Sequence, residues 1–191
     1  MTPDMSDIEK SANSERHESS SLFLRALSNP WLGFLLAAVV IWVDQYTKAL
    51  ASAELQYRVP VEITSWFDLM LAHNTGAAFS FLATAGGWQR WFLAGVALAV
   101  SLVVAVWLTR LKRSELMLGI ALGLVLGGGL GNLIDRVSLG YVVDFISWHY
   151  NDWYWPAFNI ADSAICVGAV LLVWDSFLPK PVSRVASKLI R

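Results

Sequence analysis

Leu116-Met-Leu-Gly-Ile-Ala-Leu-Gly-Leu-Val-Leu-Gly-Gly-Gly-Leu-Gly-Asn-Leu-Ile134 carries no charge and runs directly into Asp135-Arg136. A helix needs roughly 20 apolar residues to cross a bilayer, and this stretch meets that length while ending in an ion pair's worth of charge. Three other segments read the same way, at about 31–50, 88–108 and 158–178. Gly119, Gly123, Gly127 and Gly131 recur every four residues and so form one helical ridge, which allows another helix to approach closely. The ridge fits two readings, tight helix packing or the floor of a groove. Ala161, Ala164 and Gly168 make a matching small stripe on the fourth span.

Composition agrees. Of 191 residues, 56% are hydrophobic and only 15% charged, where a soluble domain carries about a quarter charged residues. Mean hydropathy is +0.52. A formal net charge of −1 supplies no basic surface and argues against a nucleic-acid partner. The single cysteine, Cys166, lies in an apolar run, so an intrachain disulfide and a cysteine-ligated metal site are both excluded. Trp31, Trp42, Trp66, Trp88, Trp91, Trp107, Trp153, Trp155 and Trp174 flank apolar runs, as in the aromatic belts of membrane proteins.

Residues 1–24 are polar and acidic and are expected to be a disordered cytoplasmic tail. Residues 25–180 hold the four spans, and 181–191 form a basic tail with Arg184, Lys188 and Arg191. The linker Thr109-Arg110-Leu111-Lys112-Arg113-Ser114 is also basic. By the positive-inside rule the linker and both termini are cytoplasmic. The loops at about 51–87 and 135–157 then face outward. Val59–Ile63 and Phe67–Ala72 alternate as strands do, Asn74-Thr-Gly76 reads as a turn with a special backbone at Gly76, and 148–155 reads as a mobile aromatic loop in the interface. The expected fold is an α-helical membrane protein with four transmembrane helices, a small extracytoplasmic β platform and an interfacial loop.

Asn132, Asp135, Arg136, Asp144, Asn159 and Asp162 crowd the outer ends of the third and fourth spans. Ionisable groups at membrane depth are costly and mark function by default. Asp144 sits in the apolar run Val142-Val143-Asp144-Phe145-Ile146, which predicts a desolvated carboxyl. Asp162 opens the fourth span, where helix N-capping is the plain alternative to chemistry. Two carboxylates in a low-dielectric site share a proton, the arrangement needed to activate water against an amide. Arg136 has either a rim salt bridge or, with Asn132, the task of fixing a nearby carboxylate. Asp44 and Lys48 are four apart, the spacing of a helical ion pair. His73 and His149 lack metal-ligand spacing, and no Gly-x-Ser-x-Gly elbow is present.

At these residues the chain resembles bacterial signal peptidase II, the lipoprotein signal peptidase family. Asp44-Gln-Tyr-Thr-Lys48, Asn74-Thr-Gly-Ala-Ala-Phe79, Gly128-Gly-Leu-Gly-Asn132-Leu-Ile-Asp135-Arg136 with Val142-Val-Asp144-Phe145, and Phe158-Asn159-Ile-Ala-Asp162-Ser163 are similar to its four ordered motifs. The resemblance implies a monomeric aspartyl endopeptidase of the bacterial inner membrane, without metal or cofactor, its site near the outer face. It would cut the signal peptide from a diacylglyceryl-modified prolipoprotein just before the lipidated cysteine. Asp144 and Asp162 would be catalytic. Asp44, Lys48, Asn74, Gly76, Asn132, Asp135, Arg136 and Asn159 would support the site or bind substrate, Asp135 structurally. The lipid-anchored substrate would lie between the third and fourth spans. Two rivals remain. One is a small proton-coupled transporter or flippase with the carboxylates as a relay, against which the polar groups gather at the outer ends. The other is a structural tetraspan scaffold, against which buried charge without function is costly.

Overall fold

The computed structural model describes residues 30–76, 86–112 and 115–178; the two expected tails and Ala77–Phe79 of the second motif lie outside these residues. Four helices long and apolar enough to cross a membrane are present: α1 (Pro30–Glu54), α2 (Gln89–Thr109), α3 (Leu116–Ser138) and α4 (Ile160–Phe177). The expected spans are recovered. α1 and α3 each run on by four residues beyond the expected end, from 50 to 54 and from 134 to 138. Polar residues therefore continue the helix: Asp135 and Arg136 belong to α3 itself.

α3 is the hub, packed against the other three helices. Between membrane helices there is little hydrophobic driving force, so close van der Waals contact of small residues holds them. The glycine ridge shows how. A Cβ on Gly123 would stand 2.6 Å from the Gly33 carbonyl oxygen, one on Gly127 2.7 Å from Val40 Cβ, and one on Gly131 2.6 Å from an Asp44 carboxylate oxygen. All three neighbours belong to α1. Gly128 faces Ala161 and Ile165 of α4, and Gly168 of α4 faces Ala121 and Val125. The ridge is thus filled by α1, and the seam between α3 and α4 is filled by their own backbones. This corrects the groove-floor reading and leaves no room for a substrate helix between the third and fourth spans. On the remaining side Val104 and Leu108 of α2 pack with Ala37, Leu118, Leu122 and Leu126.

Among the described residues, the α1–α2 and α3–α4 connections build one antiparallel sheet of order β1-β2-β3-β4, from β1 (Val61–Thr64), β2 (Phe67–Asn74), β3 (Val142–Tyr150) and β4 (Trp153–Tyr154). The stretch 148–155 is not a loop: it is the end of β3, a turn with Asn151 at φ 52°, and β4. Its Trp148, Tyr150, Trp153, Tyr154 and Trp155 are exposed. Trp42 departs from the belt pattern. It lies halfway along α1, roughly 18 Å from either end at 1.5 Å per residue, stacked on Tyr46 with ring centroids 5.7 Å apart.

Candidate active site

Asp144 enters the site from β3, opposite Ala72 of β2. Val142 to Phe145 are all buried, so this part of the strand shows no alternation of buried and exposed residues. The turn from α3 into β3 requires Gly140 at φ 91°, a backbone that side chains oppose. Arg90 of α2 packs on that glycine and donates to the carbonyls of Arg136 and Val137, both at 2.7 Å. A cation there also suits the carboxyl end of α3. In the sequence Arg90 is an ordinary charge at the start of the second span.

The start of α4 is tied to β3 through Phe158, whose carbonyl accepts from Phe145 and Ile146 and whose N–H donates to Ile146. That pairing delivers Asn159 and Asp162 beside Asp144. Asn159, not Asp162, is the N-cap: its side chain accepts from the Asp162 N–H at 2.9 Å, and Asp162 accepts in return from the Asn159 N–H at 3.3 Å. Such a capping box satisfies two orphan donors at once. Asp162 was the candidate cap because it opens the apolar run; its actual place is the third helical position, so it caps and yet keeps an oxygen for other partners.

Carboxamides surround the two carboxyls. Asn159 Nδ2 donates to Asp144 Oδ1 at 2.7 Å and Asn132 Nδ2 to Asp162 Oδ1 at 2.7 Å. Asp144 is buried, only 2% exposed, while Asp162 is half-buried. Burial and the facing charge of Asp162 push the Asp144 pKa up to about 7, against the pull of hydrogen bonds from Asn74 and Asn159 and of the Lys48 charge. A carboxyl titrating near neutrality in such a site is suited to acid–base work.

A second carboxylate pair lies deeper. Lys48 Nζ is 2.7 Å from Asp44 Oδ2 and 3.0 Å from Asp135 Oδ2, all three side chains buried. Asp44 Oδ1 accepts the Ala161 N–H at 2.8 Å, joining α1 to the first turn of α4. Asp135 accepts the Val143 N–H at 3.1 Å and Gln45 Nε2 at 2.8 Å. Asp135 thus ties α3 to β3 and α1, and Gln45, within the first motif, joins it there with no signal in the sequence to single it out. Arg136 makes no rim salt bridge among the described residues. It donates to the carbonyls of Asn132, at 3.2 Å, and Gly76, at 3.1 Å, clamping the end of α3 to the turn after β2. Asn74 Oδ1 accepts the Gly76 N–H at 3.0 Å. Gly76 is not among the glycines with positive φ; an Asx turn rather than a left-handed backbone explains that turn.

All the expected site residues thus meet where one end of α1, α3 and α4 faces the sheet. With that geometry established, similarity to known proteins is specific. Residues 36–178 match the family described as signal peptidase (SPase) II. The lipoprotein signal peptidase of Teredinibacter turnerae is 55% identical over 81% of this chain and 90% of its own length. That of Pseudomonas aeruginosa strain UCBPP-PA14 is 55% identical over 82% and 93%. A solved bacterial membrane enzyme, obtained by the in meso method, superposes with a TM-score of 0.68 at 26% identity, covering 80% of this chain and 94% of its own.

Proposed function

This chain belongs to the signal peptidase II family, and from that premise we propose that Asp144 and Asp162 are the dyad of its aspartic peptidase chemistry. The substrate is a diacylglyceryl-modified prolipoprotein, cut just before the lipidated cysteine. The observation that carries the assignment is the pairing of two carboxyls held by carboxamides, with Asp144 titrating near neutrality.

With one proton between them, the ionised member removes a proton from water as its oxygen attacks the scissile carbonyl carbon. The protonated member gives its proton to the carbonyl oxygen. The tetrahedral diol then collapses: the C–N bond breaks, the first carboxyl passes its proton to the departing nitrogen, and the second takes one from the diol. No covalent intermediate arises and the dyad returns to its starting state. Asn132 and Asn159 hold the carboxyls, Arg136 and Asn74 brace the turn at Gly76, and Asp44, Lys48 and Asp135 hold the helices beneath. Asn74 and Gly76 meet the substrate from the sheet.

The basic linker after α2 and the basic C-terminal tail place both termini in the cytoplasm and the dyad at the outer face. The acyl chains stay in the bilayer, and the enzyme works as a monomer of the inner membrane. Because α3 and α4 close on each other, the signal helix lies against the outside of the bundle.

The test is cleavage of a diacylglyceryl prolipoprotein beside its unlipidated form. Asp144→Asn and Asp162→Asn should each lower cleavage by at least roughly 10³-fold while the protein still inserts. Wild-type rates in either variant remove that residue from the dyad. No turnover of the lipidated form by the parent chain favours the transporter reading.

A further inference from the structure

Lys48 is a saturated ammonium. Besides Asp44 Oδ2 and Asp135 Oδ2 it donates to Asn132 Oδ1 at 3.0 Å, so its three N–H groups have three acceptors. An ammonium cannot accept, and so the oxygen of the Asn132 carboxamide must face it. The same amide then has only its NH2 to offer on the other side, where it meets Asp162 Oδ1 at 2.7 Å. We propose that Lys48, acting through Asn132, decides where the dyad's proton rests: Asp162 is the ionised base and Asp144 the proton-bearing acid. This rests on the dyad reading above and goes beyond it by removing the symmetry between the two carboxyls.

Donor number does not separate the two: Asp162 receives N–H donors from Asn132 and from the Asn159 backbone at 3.3 Å, and Asp144 receives them from Asn74 and Asn159. Two further observations do. Asp162 lies in the first turn of α4, where the helix dipole favours an anion. Asp162 is the half-buried member, open to the water it must deprotonate, whereas Asp144 is enclosed, and burial first, then the facing Asp162 charge, holds its proton to about pH 7. The other charged groups around the pair are Asp44 of α1, Asp135 and Arg136 of α3. On β2, Asp68 is 3.4 Å from His149 and His73 stacks on Tyr141. Asp44 and Asp135 oppose the Lys48 charge, so the effect of Lys48 on Asp162 runs through the amide's orientation more than through its field.

Lys48→Met leaves Asn132 Oδ1 with only the longer Asn159 Nδ2 donor, at 3.3 Å, so the amide can turn its oxygen toward Asp162, which then prefers its protonated form. In the full chain reconstituted in lipid with a diacylglyceryl prolipoprotein, the acid limb of kcat should move up by about one pH unit with KM nearly unchanged. Lys48→Gln, whose amide can still donate to Asn132, should restore the limb part of the way. A loss by the same factor at every pH overturns the proposal and makes Lys48 purely structural.

A second measurement needs no Lys48 variant. In infrared difference spectra near pH 6, Asp162→Asn should keep the carbonyl band of a protonated carboxyl and Asp144→Asn should lose it. The reverse pattern, or the same pattern in both variants, overturns the proton assignment. Retained cleavage in these two variants would instead remove the dyad itself.

Discussion

Two carboxylate pairs stand within one site, and they differ in who donates to them. Asp44 and Asp135 share an ammonium, and each also accepts a backbone N–H at a helix or strand start. Asp144 and Asp162 have carboxamides instead: among the described residues no cation bonds to either, and Lys48 is bonded to Asn132, whose other face meets Asp162. The first pair, bridged by one ammonium, joins α1, α3, α4 and β3. The second has no bonded cation among the described residues, and the proposed chemistry accordingly puts one proton on it. The same residue type becomes scaffold or chemistry according to the donor supplied.

That contrast can be broken in three ways. Asp135→Ala leaves Lys48 with a buried charge only partly met, and breaking such a pair costs roughly 3–5 kcal/mol; the melting temperature in detergent should fall steeply. A variant that melts like the parent would mean that the deeper pair is no scaffold.

The second test uses pH. Asp144 has its folded-state pKa raised from 3.8 to about 7, so the folded protein binds that proton more tightly than the unfolded chain. This contribution favours the fold below about pH 4 and is lost as pH rises toward 7. Asp144→Asn removes the loss. At pH 8 it should melt higher than the parent, by a free energy no greater than about 4 kcal/mol from a three-unit shift, and the advantage should vanish near pH 4. An Asp144→Asn chain less stable than the parent at pH 8 would place Asp144 with the scaffold pair.

The third and smallest effect links packing to the site. A methyl on Gly131 meets the Asp44 carboxylate, and overpacking of this kind costs roughly 1–3 kcal/mol. Gly131→Ala should lower thermal stability, with kcat falling less than in any dyad variant. A melting temperature unchanged from the parent would mean that α1 can yield, and that the ridge does not define the position of Asp44.

Much of this was legible in the chain. A polar backbone group has no partner in lipid except within its own helix, so apolar length alone announces four helices, and charge at their ends announces the cluster. Asp144, Asp162 and their supports stood out because charge in an apolar run is costly. Other features depend on contacts distant in sequence. A glycine ridge offers close approach without saying to which helix, and Gly127 meets Val40 only through tertiary packing. Gln45 and Arg90 are ordinary polar residues until α3 supplies Asp135 and the carbonyls of Arg136 and Val137. Asn159 outcompetes Asp162 as the cap because β3 pairs with Phe158 and stops the helix there.

The sequence by itself therefore determined the four spans and marked the polar cluster at the ends of them, since hydropathy and the cost of buried charge are local properties of the chain. Only the tertiary structure decided that Asp135 joins the Asp44–Lys48 pair and that Asp144 and Asp162 meet amides. Hydrogen bonds and ion pairs act over about 3 Å, and residues 84, 30 and 15 positions apart in the chain come within that range only when the helices and the sheet have packed.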